Sequence, residues 1–230
     1  MFNEIAAVYD LVKAHRNYNG EAAALLRIKD KYCQNAKTIL EFACGTGNLL
    51  RRFRSYSRVG VDTSPQMLAI AKRNVPSALL YNDDMTSANL EQLFDIVLCM
   101  DGAIGYISPD QLAATVQNFV AHTRDGGMLV IEPWYERRTW QANSVHVVHN
   151  THHDVHVVRM SHGMPNGAIE FHTLVGNSDG IKHIVEKCRF WLHDVDDIIG
   201  LLVAAGMTNI VRHGPDKIFS RGLIVAKKPS

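Results

Sequence analysis

Residue types and spacing that can do chemistry concentrate in Glu41-Phe42-Ala43-Cys44-Gly45-Thr46-Gly47, with an acid 21 residues after Glu41, at Asp62. A glycine-rich turn after a first strand lets a ligand approach the backbone. A carboxylate ending the second strand is placed to accept hydrogen bonds from a ribose diol. The dinucleotide fingerprint fits poorly, because counting from Gly45 puts Leu50 where the third glycine should allow close packing. No lysine of the phosphate-loop type follows either. What remains is an adenosyl ligand without a pyrophosphate, S-adenosylmethionine (SAM).

The elements that must position these groups follow from periodicity. Thr38 to Phe42 reads as a short apolar strand and Arg58 to Asp62 as a second. Ser64-Pro65 is an N-cap followed by an N1 proline, opening a helix to about Asn74. Ala78 to Tyr81 and Phe94 to Met100 are further strands, and Pro109 to Thr123 a helix. Asp125-Gly126-Gly127 reads as a turn before a fifth strand, Met128 to Glu132. Strands and helices alternating at this pitch predict an α/β fold with a doubly wound, mostly parallel sheet. Before it, Ile5, Val8 and Val12, then Ala22, Leu25, Leu26 and Ile28, form apolar helical stripes.

After it the rhythm changes. From about Val145 to Phe190, short β-like runs are separated by Pro165-Asn166-Gly167 and Ser178-Asp179-Gly180, turn signals between antiparallel strands. A helix from Asp194 to Ala205, ended by Gly206, and a last strand from Arg221 to Lys227 complete the chain. The expected organisation is one domain, 1–230, with a helical cap over 1–35, a cofactor-binding core over 36–135 and inserted antiparallel strands over 144–191.

Composition bounds the partners. Twenty-four Lys and Arg against 23 Asp and Glu leave a formal charge of +1, which gives no electrostatic case for nucleic acid or an anionic membrane. The four cysteines, Cys33, Cys44, Cys99 and Cys188, are scattered without C-x-x-C spacing, the pattern of reduced thiols in a cytoplasmic protein. Met1-Phe2-Asn3-Glu4 shows no basic leader, and the longest apolar stretch, Ile198 to Met207, is about half a membrane span.

At this point the residues match a known family. Leu40-Glu41-Phe42-Ala43-Cys44-Gly45-Thr46-Gly47 resembles the first motif of class I SAM-dependent methyltransferases, Val61-Asp62-Thr63-Ser64-Pro65-Gln66-Met67-Leu68 the second, and Asp83-Asp84-Met85 the third. The resemblance implies that Glu41 orients the methionine ammonium while Ala43, Gly45 and Gly47 leave room for it. Asp62 and Thr63 would hold the ribose, Met67 and Met85 cover the adenine, Asp84 accept its amino group and Met100 offer its carbonyl. More narrowly, Ala7-Val8-Tyr9-Asp10-Leu11, Gly105-Tyr106, Glu132-Pro133-Trp134-Tyr135, Arg159-Met160-Ser161-His162, Gly214-Pro215 and Ser220-Arg221-Gly222-Leu223 are similar to the N,N-dimethyltransferases of dTDP-linked amino sugars in macrolide biosynthesis. That similarity implies a Tyr9 contact to the cofactor. Tyr135, in place of a usual second Trp, and the His-rich 143–156 depart from the pattern.

Methyl transfer to an amine is an in-line displacement that needs alignment more than a strong base, so proximity can carry most of the rate. Tyr106 is a candidate to orient the nucleophile, or else a lid-packing phenol. His162 is a candidate proton acceptor, or else a strand histidine bonded to backbone. Trp134 and Tyr135 offer aromatic faces to a sugar or thymine ring, or pack against the inserted layer. Arg221 would clamp a phosphate or face solvent. His146, His149, His152, His153 and His156 do not keep one strand face; His152 and His156 are expected to share one, with no nearby Cys or Glu to complete a metal site. The expected activity is N-methylation of a nucleotide-linked amino sugar by a protein that dimerises or acts alone. An O- or N-methyltransferase of another small metabolite, or a non-catalytic SAM-binding protein, are the competing readings.

Overall fold

The computed structural model describes residues 4–230; Met1 to Asn3, read above for a leader, lie outside the described residues. A 3₁₀ turn at Ala6–Val8 runs into α1 (Tyr9–Val12) and then α2 (Tyr18–Tyr32), whose first turn is capped by the Asn17 side chain accepting from Gly20 N at 2.9 Å. The core follows as β1 (Thr38–Phe42), β2 (Ser57–Asp62), α3 (Pro65–Asn74), β3 (Leu79–Asn82), β4 (Phe94–Cys99), α4 (Pro109–His122) and β5 (Thr123–Ile131). Ser64 caps α3 as its sequence predicts, its hydroxyl accepting from Met67 N at 3.2 Å with Pro65 in the first turn.

Four antiparallel strands, β6 (Val145–His152), β7 (Val155–Gly163), β8 (Ala168–Asn177) and β9 (Gly180–Arg189), precede α5 (Val195–Ala204), β10 (Thr208–His213) and β11 (Leu223–Lys227). The main sheet has the order β10-β11-β5-β4-β1-β2-β3, with β1 to β5 parallel and β11 antiparallel to both its neighbours. The chain winds outward in both directions from the β4–β1 pair, so the carboxyl ends of β1, β2, β4 and β5 converge on one crevice. One apolar layer packs under α4 and α5 and another under α2, as a doubly wound sheet requires.

Two features differ from the sequence reading. Asp125-Gly126-Gly127 does not separate α4 from β5; it bulges within β5, where the pairing jumps from Phe94↔Thr123 to Ile96↔Met128 and Gly126 takes φ +76°. The strand β10 shows no apolar run because it is an edge strand, mostly exposed and paired on one side only. The inserted strands form a separate four-stranded sheet, the antiparallel layer that the sequence leads one to expect. Among the described residues no helix is long and apolar enough to cross a membrane.

The glycine loop is fixed from beneath. Gly47 has φ +73°, and a Cβ there would lie 2.9 Å from Val75 Cγ2 and 3.4 Å from Ala71 Cβ. Gly47→Ala combines a left-handed backbone with overpacking, and its expected cost is about 1–3 kcal/mol in denaturant unfolding. A stability equal to the parent's would show that α3 shifts freely away from the loop.

Candidate active site

A cavity of about 650 Å³ opens at the carboxyl ends of the parallel strands. That is within the range of about 300–1,000 Å³ usual for ligand pockets. Ala43 and Gly45 from the loop after β1, Asp62 and Thr63 at the end of β2, Met67 of α3, Asp84 and Met85 after β3, and Met100 after β4 all line it. Tyr9 of α1, Tyr106, Trp134 and Arg221 line it as well. Nearly every cofactor residue expected from the sequence is therefore brought together. Glu41 and Gly47 stand just behind the lining, Glu41 buried in β1 and Gly47 seated on α3.

The loop is built around Asp62. Its Oδ2 accepts from Gly45 N at 2.8 Å and its Oδ1 from Ser64 N at 2.9 Å, so one carboxylate ties the glycine loop to the start of α3. A carboxylate has about four lone-pair sites, which leaves acceptors for a diol. Burial raises the Asp62 pKa, and the two backbone N–H groups oppose that rise. Ala43, at φ +53°, holds a left-handed conformation unusual for alanine, in the loop that faces the ligand. Asp10 braces the loop from α1, accepting from Thr46 Oγ1 at 2.5 Å and Asn48 Nδ2 at 2.7 Å.

Glu41 is the least satisfied group. Its Oε2 is closed off from water and accepts no hydrogen bond from the described residues. Burial pushes its pKa up to about 8; Arg16 pulls it down, while Glu21, Asp62 and Asp101 add to the rise. A buried acceptor beneath a loop with no Cβ at Gly45 and Gly47 fits a bound ammonium, which supplies both donors and charge. The residues present thus fit the amino-acid end of SAM.

A six-residue ion network closes one side of the cavity. Asp101 Oδ2 accepts from Lys13 Nζ at 2.8 Å, and its Oδ1 pairs with Arg16 and, at 3.2 Å, with Arg221 Nη2. Arg221 Nη2 also meets Glu132 Oε1 at 2.5 Å, and Arg16 Nη2 binds Glu21 Oε2 at 2.7 Å. Glu132 Oε2 accepts from Asp101 N at 2.8 Å, holding Asp101 at φ +57°. Asp101 is held well below the usual carboxylate range, because Lys13, Arg16 and Arg221 overcome its burial. Sequence reasoning missed Lys13, Arg16, Glu21 and Asp101, which only meet through the fold. Arg221, expected to clamp phosphate, spends Nε on Pro133 O at 3.0 Å and Nη2 on the two acids. Only Nη1 stands outside these bonds.

The far wall is aromatic. Phe190 stacks on Trp134 at 4.1 Å between ring centroids and lies 4.4 Å from Tyr106. Gly102 and Gly105 make room for that indole: a Cβ at Gly102 would come within 2.4 Å of Trp134 Cε3, and one at Gly105 within 3.0 Å of Trp134 Cγ. Trp134 Nε1 is buried without an acceptor among the described residues. The inner face of the four-stranded sheet adds Val148, Arg159, Ser161 and Phe171 as a roof, with the Arg159 guanidinium 3.9 Å from the Phe171 ring centroid. Burial raises the Tyr106 phenol well above its usual value, with Tyr9 adding to the shift, so it stays protonated.

Two expected residues do not reach the cavity. His162 sits in the cross-strand row Val145–His162–Glu170–Lys187, and strand alternation puts that row on the face opposite Arg159 and Ser161. Its proton-acceptor role is corrected on that ground. Tyr135 is 38% exposed and turns edge-on to Trp134 at 5.1 Å, outside the lining, so it buttresses the indole from behind. The hairpin histidines are exposed, but His152 and His156 lie on opposite faces. The turn at His153 separates them, and His156 pairs with Thr151.

Glu41 generates a proton-linkage prediction. Below about pH 8 the free protein carries the neutral acid, whereas an ammonium partner requires the carboxylate. SAM affinity should therefore rise with pH and level off above about 8. At pH 7 binding should release about 0.9 proton, read by titration calorimetry in buffers of different ionisation enthalpy. Glu41→Gln should abolish the release; zero release in the parent would overturn the assignment. For folding, this raised pKa means the ligand-free protein loses stability as pH climbs from about 4 towards 8, the sign opposite to that of an ion-paired acid.

Comparison with known proteins agrees with this geometry. A family model described as a methyltransferase domain matches residues 39–127, which hold the glycine loop, Asp62 and Asp84. A dTDP-3-amino-3,6-dideoxy-alpha-D-glucopyranose N,N-dimethyltransferase of Streptomyces fradiae is 34% identical, over 96% of this chain and 89% of its own. A dTDP-3-amino-3,4,6-trideoxy-alpha-D-glucopyranose N,N-dimethyltransferase of Streptomyces venezuelae is 29% identical over 96% of each chain. The crystal structure of Streptomyces venezuelae DesVI superposes with a TM-score of 0.90 at 27% identity over 98% of both chains. The SAM-bound amino pentose methyltransferase CalS10 of Micromonospora echinaspora gives 0.83 at 26% identity, over 94% of this chain and 93% of that one. With the cofactor loop, the orphaned Glu41 and the aromatic wall in one cavity, the chain is a SAM-dependent methyltransferase and belongs to the family of the sugar N,N-dimethyltransferases.

Proposed function

We propose that this enzyme methylates the amino group of a dTDP-linked amino sugar. The observation that carries the reading is the wall of Tyr106, Phe190 and Trp134 facing the cofactor loop across one cavity, with an indole N–H that has no acceptor among the described residues. Flat apolar faces suit a sugar or a thymine ring, and a buried donor suits a hydroxyl or carbonyl on it. The dTDP-linked amino sugars for which the relatives are named are of that class.

SAM supplies the methyl group, its sulfonium becoming a neutral thioether. The chain's own work is placement. Glu41 holds the amino-acid end of the cofactor, Asp62 its ribose and Asp84 the adenine at the other end. Tyr106, kept protonated by burial, accepts an N–H of the amine on its phenol oxygen, which aims the lone pair at the methyl carbon. The proton lost after transfer goes to water, since an amine above its pKa attacks unaided and no protein base is required. Arg221 offers Nη1 to a phosphate oxygen from its place in the ion network, and Lys217 lines the same cavity.

The free cysteines fit a reducing cytoplasm. A second copy of the chain is assigned to the outer face of the four-stranded sheet. There Val147, Met160, His172 and Val185 form one cross-strand row, and Val145 (59% exposed), Val147 (61%) and Ile181 (80%) share the face. Sedimentation should give a dimer, and Val147→Glu a monomer; a monomeric parent rejects this assignment.

The acceptor is tested by mass on dTDP-amino sugars, free amines and phenols, the first gaining one or two methyl groups. Turnover confined to phenols would reject N-methylation. Trp134→Phe keeps the stack but removes the N–H, so KM for the acceptor should rise about tenfold, the scale of one buried hydrogen bond, with SAM affinity unchanged. Tyr106→Phe should lose less than the roughly 100-fold that marks a general base. A larger loss would restore base catalysis.

A further inference from the structure

The near-neutral net charge hides an uneven distribution. Between residues 42 and 82 the one acid is Asp62, against Arg51, Arg52, Arg54, Arg58, Lys72 and Arg73. Four of these arginines, Arg51, Arg52, Arg54 and Arg58, line a second pocket of about 590 Å³ together with Asn74, Val75 and Pro76. It lies where the 3₁₀ turn Leu50–Arg52, the amino end of β2 and the carboxyl end of α3 meet, and it shares no lining residue with the reaction cavity. No carboxylate lines it.

Two costs are left open in this pocket. The Nε N–H groups of Arg51, Arg52 and Arg58 are closed off from water and have no acceptor among the described residues, although Arg58 reaches Ser77 Oγ through Nη2. Each buried, unmade bond of a charged donor is expensive. The guanidiniums also repel one another: burial and then Arg51 and Arg54 hold Arg52 below its ordinary pKa, and burial and then Arg54 do so for Arg58. A ligand that carries acceptor oxygens and several negative charges offsets both costs at once. The Nε–Nη edge of a guanidinium is the edge that pairs with phosphoryl oxygens in a bidentate way.

We propose that this arginine pocket is a second, non-catalytic binding site, taking a small anion with two linked phosphoryl groups. Donors at Arg51, Arg52 and Arg58 outnumber what one phosphoryl group pairs in the bidentate way, and a diphosphate brings more acceptor oxygens and more negative charge to the four guanidiniums. A nucleic acid is read by an extended basic stripe, whereas these four arginines are gathered around one pocket. The site stands apart from the acceptor assigned above. Asn74 and Val75 in its wall also seat the glycine loop, Asn74 Nδ2 donating to Thr46 O at 2.8 Å and Val75 lying against Gly47.

The probe is inorganic pyrophosphate, titrated calorimetrically into the SAM-saturated full chain. The expected result is binding weakened at least tenfold in an Arg52→Gln/Arg58→Gln double variant, with inorganic phosphate binding more weakly than pyrophosphate to the parent. Methyl transfer by that variant should keep its kcat, and its Tm at low salt should be no lower, because it loses repulsion. In the unaltered protein, pyrophosphate should protect the peptide carrying Arg51, Arg52, Arg54 and Arg58 from phenylglyoxal, read by mass. No pyrophosphate binding, equal binding by parent and variant, or no protection of that peptide overturns the proposal. So does binding of an oligonucleotide that pyrophosphate does not displace.

Discussion

Everything around the reaction cavity hangs on Asp101 and Glu132, the acids that follow β4 and β5. Between them they hold Lys13 and Arg16 of the N-terminal segment and Arg221 of the loop before β11. Four remote stretches of chain thereby meet at one point over the carboxyl edge of the sheet. Such a cluster is weak evidence for stability, since its desolvation cost is large, but it leaves few alternative arrangements. Its mutual pairing also explains why Arg221 is not free to wrap a phosphate. Each cation is already committed to geometry.

The cofactor side shows the opposite condition, a charge left uncommitted. Glu41 is buried with an idle oxygen, and Ala43 beside it carries a left-handed backbone. Both are unfavourable in the free protein and both face the position of the ligand. The sheet, α3 and Asp10 impose them, through Gly47 on Val75 and Asp62 on two backbone amides. Binding then removes a cost rather than adding a new constraint, which is what preorganisation means physically.

The two sheets divide the work. The parallel sheet supplies backbone ends and acids to the cofactor. The inner face of the antiparallel sheet supplies Arg159, Ser161 and Phe171 over the acceptor wall. Because side chains alternate along a strand, one residue of displacement decides function here. Ser161 lines the cavity, whereas His162 beside it belongs to the outer face.

Much of this was legible without coordinates. Glycine turns, a Ser-Pro cap and apolar runs are local signals, so β1, β2, β4, α3, α4 and α5 fall close to their sequence positions, and the residues of the cofactor loop with them. The edge strand β10 left no apolar pattern, since a strand paired on one side buries little. The partners of Asp101 and Glu132 left none either, because Lys13 and Arg221 lie far apart in sequence and a charge carries no periodicity that names its mate. Which face His162 takes, and whether Tyr135 points in or out, depends on register and on the packing of Trp134 against Gly102 and Gly105. Local sequence determined the elements and the cofactor chemistry. Long-range pairing and packing, which arise only when distant segments are brought within a few ångströms, decided which side chains face the acceptor.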